Sequence, residues 1–263
     1  MSTEMDERIG TDGLRQCRMN RRIAMRIAAT EYERVADAVS EFEPADWDKP
    51  TECPAWDVRQ MACHVVGMAE MVAGVREGKR QRHLAVADVA ANGGVFIDAL
   101  TALQVRERSD WTPEQVVAGL RDVGPRAARG RRRTPFFIRR RPLPVPQMVN
   151  GRQEMWSLGY LLDTILTRDP WLHRIDLARA TGRELRLTAE HDGVIVADVV
   201  EEWAERHGRP YHLTLTGPAG GSWSSGNSLG SDGETIDMDA IEFCRILSGR
   251  GSGQGLLATE VPF

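Results

Sequence analysis

Asp169 and His173 stand four residues apart in LTRDPWLHRIDLARATGR. On a helix that spacing puts both side chains on one face, one turn apart. A carboxylate oxygen and an imidazole nitrogen placed this way can share one metal ion, as paired ligands on a helix do in zinc sites. A third ligand must come from elsewhere in the chain. His64 lies in TECPAWDVRQMACHVVGMAEMV, among Met61, Val65, Val66 and Met68, where a bundle would otherwise bury only apolar groups. Ligands in bundle cores project inward from facing helices, so His64 is the natural third. Two histidines and a carboxylate leave at least one coordination position open, the pattern of a catalytic zinc site. Spacing alone leaves a plainer reading open, a core histidine bonded to a carbonyl and a chance acid–histidine pair. Pro170 sets a further condition. A proline within a helix removes a backbone hydrogen bond and disfavours the α region for the residue before it, here Asp169. The expected i,i+4 geometry is therefore imperfect.

These residues need helices to hold them. Ile23, Ile27, Tyr32, Val35, Ala38 and Val39 recur at helical spacing within 16–42. The stretch EPADWDKPTECPAWD carries three prolines and reads as a loop. Asp57 can cap a second helix, running to about Glu77. A third is expected over Val86 to Arg108. A fourth starts at Thr112-Pro113-Glu114-Gln115, a capping threonine with proline at the first position and glutamine three on, and runs to about Arg129. Residues 130–152 are rich in arginine and proline and read as a long loop. Eight arginines between Arg126 and Arg141 could bind nucleic acid or an anionic ligand; the plainer reading is a solvated connection whose guanidinium groups pair with acidic helix faces. A last long helix is expected from near Glu154 to about Thr181, stopped at Gly182. Beyond it lies a helix in DGVIVADVVEEWAERHGRP and an alternating strand in YHLTLTG. Short strands at Trp223 and Thr235–Met238 follow, then a helix capped by Asp239. The expected organisation is a tail (1–15), an up-and-down bundle (16–185) and a small α+β unit (186–263).

The chain has 263 residues and a net charge of −4, which gives no whole-protein case for nucleic acid or a membrane surface. Its start, MSTEMDERIG, lacks the basic and apolar regions of a signal peptide, and no apolar run approaches the roughly 18 residues of a membrane span. A cytoplasmic monomer is the expectation. Cys17, Cys53, Cys63 and Cys244 are scattered and read as free thiols, none well placed as a nucleophile.

The stretch DWDKPTECPAWDVRQMACHVVG resembles the first signature of the mycothiol-dependent maleylpyruvate isomerase family, a branch of the DinB-like metalloenzymes. Trp47, Pro50, Thr51, Cys53, Pro54, Trp56, Val58, Arg59 and His64 carry the likeness; Ala55 stands where glycine is common. RDPWLHRIDLARATGR and DAIEFCRILSGRGSGQGLLATEVPF are similar to the later signatures, in the family order. The resemblance implies a DinB-like four-helix bundle followed by a sterol-carrier-like α+β domain. It implies a divalent metal, usually zinc, on His64, Asp169 and His173, with aspartate where the family's characterised isomerase has glutamate. It also implies mycothiol, the small thiol of actinobacteria, as cofactor or co-substrate, and a small electrophile as substrate. An arginine from the C-terminal part near the metal is implied too, with Arg245 and Arg250 as candidates. Asp176 could orient an imidazole. Isomerisation and S-transfer both fit this set. A metal hydrolase needing no thiol, and a non-catalytic binding protein that keeps the fold, are the competing readings.

Overall fold

The computed structural model describes residues 13–225 and 233–263. The expected tail up to residue 12 and part of the Gly/Ser turn (226–232) lie outside the described residues. Strand β1 (Leu14–Arg15) precedes α1 (Arg21–Ser40), α2 (Val58–Ala73), α3 (Val75–Asn92), α4 (Phe96–Arg106) and α5 (Pro113–Arg133). Asp57 and Gln60 cap α2 reciprocally, and Thr112 and Gln115 do the same for α5, as their spacing predicts. The expected single helix over Val86–Arg108 is instead two. Gly93 and Gly94, at φ 75° and 94°, turn the chain where a side chain would be strained, and α4 folds back at 116° to α3. Likewise α2 stops at Ala73, because Gly74 is extended.

The region 130–152 is not the expected loop. Helix α5 continues to Arg133, and a short α6 (Phe136–Arg139) follows. Then β2 (Gln147–Val149) and β3 (Arg152–Trp156) pair as an antiparallel hairpin. Its two-residue turn is Asn150-Gly151, with φ 50° and 70°, the left-handed pair such turns demand. Leu14 and Arg15 pair in parallel with Met155 and Trp156, so the end of the expected tail is strand. Arg139 pairs with Asp163, as the plainer reading expects, but it is buried and not on a solvated connection. Arg131 is fully buried and, among the described residues, pairs with no acid.

The last bundle helix begins at Ser157, whose side chain accepts from the Tyr160 amide, not near Glu154. It consists of α7 (Leu158–Tyr160), a π-helical turn (Leu161–Ile165) and α8 (Leu166–Thr181), closed by Gly182 in the left-handed region. Pro170 sits inside α8 without displacing Asp169 from it, contrary to the expectation. The carbonyl that Pro170 cannot bond is that of Leu166, four residues back. Arg131 Nη1 donates to it at 2.8 Å, and Nη2 to the Thr167 hydroxyl at 2.5 Å. A buried guanidinium replaces the missing amide, which keeps Asp169 and His173 one turn apart.

Helices α1, α2, α5 and α8 form the DinB-like bundle around Tyr32, Val35, Met61, Val65, Val66, Leu120, Val123 and Leu166. The α3–α4 hairpin packs outside α2. The C-terminal part carries α9 (Val194–His207), β4 (Tyr211–Thr216), β5 (Gly221–Ser225), β6 (Glu234–Asp239) and α10 (Ala240–Leu247). The sheet order is β5-β4-β6, with β4 antiparallel to β5 and parallel to β6. Its core, around Trp203, Phe243, Val199 and Leu213, runs without a break into Ile27, Trp171, Leu172 and Ile175 of the bundle. Buried Arg174 bridges Glu31 and Asp192, and buried Arg168 bridges Asp198 and Glu202, so ion pairs cross the same junction. That packing brings the residues after α10 over one end of α8.

Candidate metal centre

Helix α2 supplies His64, and α8 supplies Asp169 and His173. His64 Nε2 lies 3.5 Å from Asp169 Oδ2, and His173 Nε2 lies 3.4 Å from Oδ1. One donor atom from each residue falls within 4.8 Å of the others. The two rings stand nearly perpendicular, at 87° with centroids 5.2 Å apart, so their Nε2 atoms converge on one carboxylate. The three expected ligands therefore meet, each with the atom a metal needs.

The remote nitrogens are held as well. His64 Nδ1 is 2.8 Å from Gln104 Oε1, and His173 Nδ1 is 3.2 Å from Asp176 Oδ2. Asp176 has no exposed side-chain surface, and Arg250 grips both its oxygens, Nε and Nη2 each at 2.7 Å. Arg250 also reaches Cys53 Sγ at 3.7 Å. Of the two expected arginines, Arg250 thus stands one residue behind His173. Arg245 points elsewhere, to Glu52 at 2.6 and 3.0 Å and to Glu242, which ties α10 to the loop before α2. Trp56 from that loop stacks on His64, with centroids 4.9 Å apart, and leans on His173 at 5.9 Å. Trp171 is core, its indole donating to Asp192. Gln104 and Arg131 were not among the expected site residues. Neither carries a short-range signal, since one acts across 40 positions and the other across 35.

The electrostatics ask for a cation. Burial opposes charge on Asp169, and the imidazoles of His173 and His64 overcome it, holding the carboxyl well below the usual carboxylate range. Even so, Asp169 Oδ2 is buried without a hydrogen-bond partner. Such an orphan costs free energy unless something positive or protonated meets it. Among the described residues a second acid–histidine group, Glu31, His191 and Asp192, makes the contrast. There Arg174 and Arg34 already balance the two carboxylates. Among the described residues no arginine or lysine pairs with Asp169. The donors present at His64, Asp169 and His173 fit a divalent metal such as zinc.

Burial pushes the His173 imidazole down, but Asp169 and then Asp176 outweigh it and lift its pKa to about 9. Because this value lies above the usual 6.5 of a free imidazole, the protonated pair stabilises the metal-free protein fully below about pH 6.5. That contribution fades as pH rises through about 9. A metal must displace the same proton. Zinc affinity should therefore rise about tenfold per pH unit between 7 and 9 and then level off, with close to one proton released per metal near pH 7.5. Titration calorimetry in two buffers of different ionisation enthalpy counts that proton; uptake of zinc without release would show that His173 does not ligate.

A DinB-like bundle with an α+β unit closing over one end is the class this fold defines. The profile described as Mycothiol maleylpyruvate isomerase N-terminal domain matches residues 28–178, and the chain belongs to that family. A crystal structure of the mycothiol-dependent maleylpyruvate isomerase is similar in fold, with a TM-score of 0.55 at 15% identity over 89% of this chain and 91% of that one. A histidine-to-alanine mutant of that isomerase aligns with the same TM-score and coverage at 14% identity. No curated protein sequence matches the chain.

Proposed function

We propose that this protein is a metal- and mycothiol-dependent isomerase acting on a small unsaturated carboxylate of the maleylpyruvate kind. The observation that carries the reading is the unpartnered Asp169 oxygen facing two converging imidazole nitrogens inside a family of thiol-dependent isomerases. A divalent metal held by His64 Nε2, Asp169 and His173 Nε2 would supply an open Lewis-acid position that lowers the pKa of a thiol, making it a nucleophile toward a conjugated double bond. The protein's own residues do the rest. Asp176 accepts a hydrogen bond from His173 Nδ1–H and so aims Nε2 into the site. Arg250 spends two donors on Asp176, which keeps that carboxylate charged and fixed. Trp56 covers the imidazoles with an apolar face and limits water at the reacting centre. Asp169 is partly exposed, at 21% of its side chain, and marks the side from which thiol and electrophile enter.

Cis-to-trans isomerisation requires the thiol to add, the former double bond to rotate, and the thiol to leave. S-transfer to the same electrophile would follow if the adduct were released instead. None of the cysteines competes for the nucleophile's role: burial raises Cys53 despite Arg250 beside it, and pushes Cys63 up to about 11. The test is isomerisation of maleylpyruvate by the zinc-loaded protein with and without mycothiol. Turnover that needs both supports the reading. Isomerisation with zinc and no thiol would remove mycothiol from the reading, and consumption of maleylpyruvate to a hydrolysed product without thiol would replace it with metal-hydrolase chemistry. Asp169→Glu should keep or tighten zinc binding, because the longer acid still reaches between the two nitrogens; loss of zinc would argue against Asp169 as a ligand.

A further inference from the structure

Behind His64 runs a chain of two buried amides that the bundle itself does not require. Gln104 is 1% exposed and Gln81 is 0% exposed. Burying two primary amides beside an apolar core is costly unless every donor and acceptor is met. Each polar side-chain atom of the two has a partner, and the bonds run in a single direction. Gln81 Nε2 donates to the Gly67 carbonyl and to Glu77 Oε1, each at 3.0 Å. Both partners are pure acceptors, so the amide nitrogen of Gln81 is fixed on that side and its Oε1 faces Gln104. Gln104 Nε2 donates to that oxygen at 2.9 Å, which leaves Gln104 Oε1 against His64 Nδ1 at 2.8 Å. An oxygen there accepts, so Nδ1 must carry the proton and Nε2 keeps its lone pair.

We propose that the α3–α4 hairpin sets the tautomer of His64, with Gln81 and Gln104 as positioning residues that polarise one another from the Gly67 carbonyl outward. The metal-free site would otherwise prefer the opposite tautomer, since an Nε2 proton could be shared with the orphan Asp169 Oδ2 at 3.5 Å. Against that pull, the relay presents a bare nitrogen to the cation. The group touching His64 is neutral, whereas His173 is oriented directly by a carboxylate; the relay's one acid, Glu77, stands two amides away and pairs with Arg80, so the imidazole is oriented without a negative charge beside it. Gly67 makes the approach possible. It lies three residues after His64, and a Cβ there would meet Gln104 Cβ at 2.6 Å and Cγ at 2.8 Å. Only a glycine lets α4 come close enough to α2 for Gln104 to reach the imidazole.

The inference rests on the metal reading for its purpose but is tested without metal. Long-range ¹H–¹⁵N spectra of the metal-free protein, with the imidazole neutral, report directly which His64 nitrogen is protonated. The wild-type protein should show Nδ1–H. Gln104→Met, close in shape but without the acceptor, should convert His64 to Nε2–H. Gln81→Met touches no atom of His64, yet it frees the Gln104 amide to flip and should give a mixture. Gly67→Ala should act like Gln104→Met by forcing α4 away. Each variant should bind zinc about 10–100-fold more weakly, the range for loss of an outer partner of a metal-bound histidine. An Nε2–H tautomer in the wild type overturns the proposal, even if no variant folds. So does an unchanged Nδ1–H signal in Gln104→Met or Gln81→Met. If the tautomers behave as described and the wild type fails to bind zinc, the relay stands and the metal reading falls.

Discussion

His64→Ala should strip the protein of its metal while leaving its helices intact. Purified with zinc available, the wild type should carry about one zinc per chain by elemental mass spectrometry, and the variant nearly none. The expected loss of affinity exceeds about 100-fold, because removal of an outer hydrogen-bond partner alone costs up to that much and here a ligand itself is gone. The fold should tolerate the change. His64 is 4% exposed and its ring packs against Trp56, so the variant leaves a cavity beside an indole that can shift. It also leaves Gln104 Oε1 without a donor and Asp169 with one imidazole in place of two. Unchanged far-ultraviolet circular dichroism with lost zinc is the predicted pair of results. Stoichiometric zinc in His64→Ala would mean that the converging nitrogens serve some other end.

The second large effect belongs to Asp176. This carboxylate has no exposed side-chain surface and joins two parts of the chain, His173 of α8 and Arg250 beyond α10. Asp176→Ala would leave the Arg250 guanidinium nearly buried without its partner, a change worth about 3 kcal/mol of folding free energy. It would also free the His173 ring to rotate and lower zinc affinity about 10–100-fold. The two consequences separate by a double-mutant cycle. Arg250→Met combined with Asp176→Ala should recover much of the stability, since no charge is then left unpaired, while zinc affinity stays low. Zinc binding unaffected by Asp176→Ala would reduce the pair to a clamp between α8 and the C-terminal part. Equilibrium denaturation and competitive zinc titration on the same samples give both numbers.

Several features of this protein are local and were legible in one dimension. The caps at Asp57, Thr112 and Asp239, the stop at Gly182 and the alternation in YHLTLTG each depend on neighbours a few residues away. So does the pairing of Asp169 with His173, one helical turn apart. The hairpin at Asn150-Gly151 was equally local and was hidden by the arginines and prolines around it; the Asn-Gly pair between MV and RQ was the available signal. Gly93-Gly94 marked the break between α3 and α4 in the same way.

By itself, then, the sequence determined the bundle, the α+β unit and three residues with ligand chemistry, together with a family whose members share that order. The tertiary structure alone decided whether those three residues meet and what holds them. Pro170 illustrates why. Local rules made it a threat to the geometry of Asp169, and no local rule could name Arg131, 35 residues before Leu166, as the group that repairs the broken hydrogen bond. The same holds for Gln104 behind His64 and Arg250 behind Asp176, 40 and 74 residues distant. A buried polar atom needs a partner, and helix periodicity says only that it is buried. Which chemistry answers it depends on how the helices cross, and a glycine such as Gly67 sets that distance in a way spacing does not reveal.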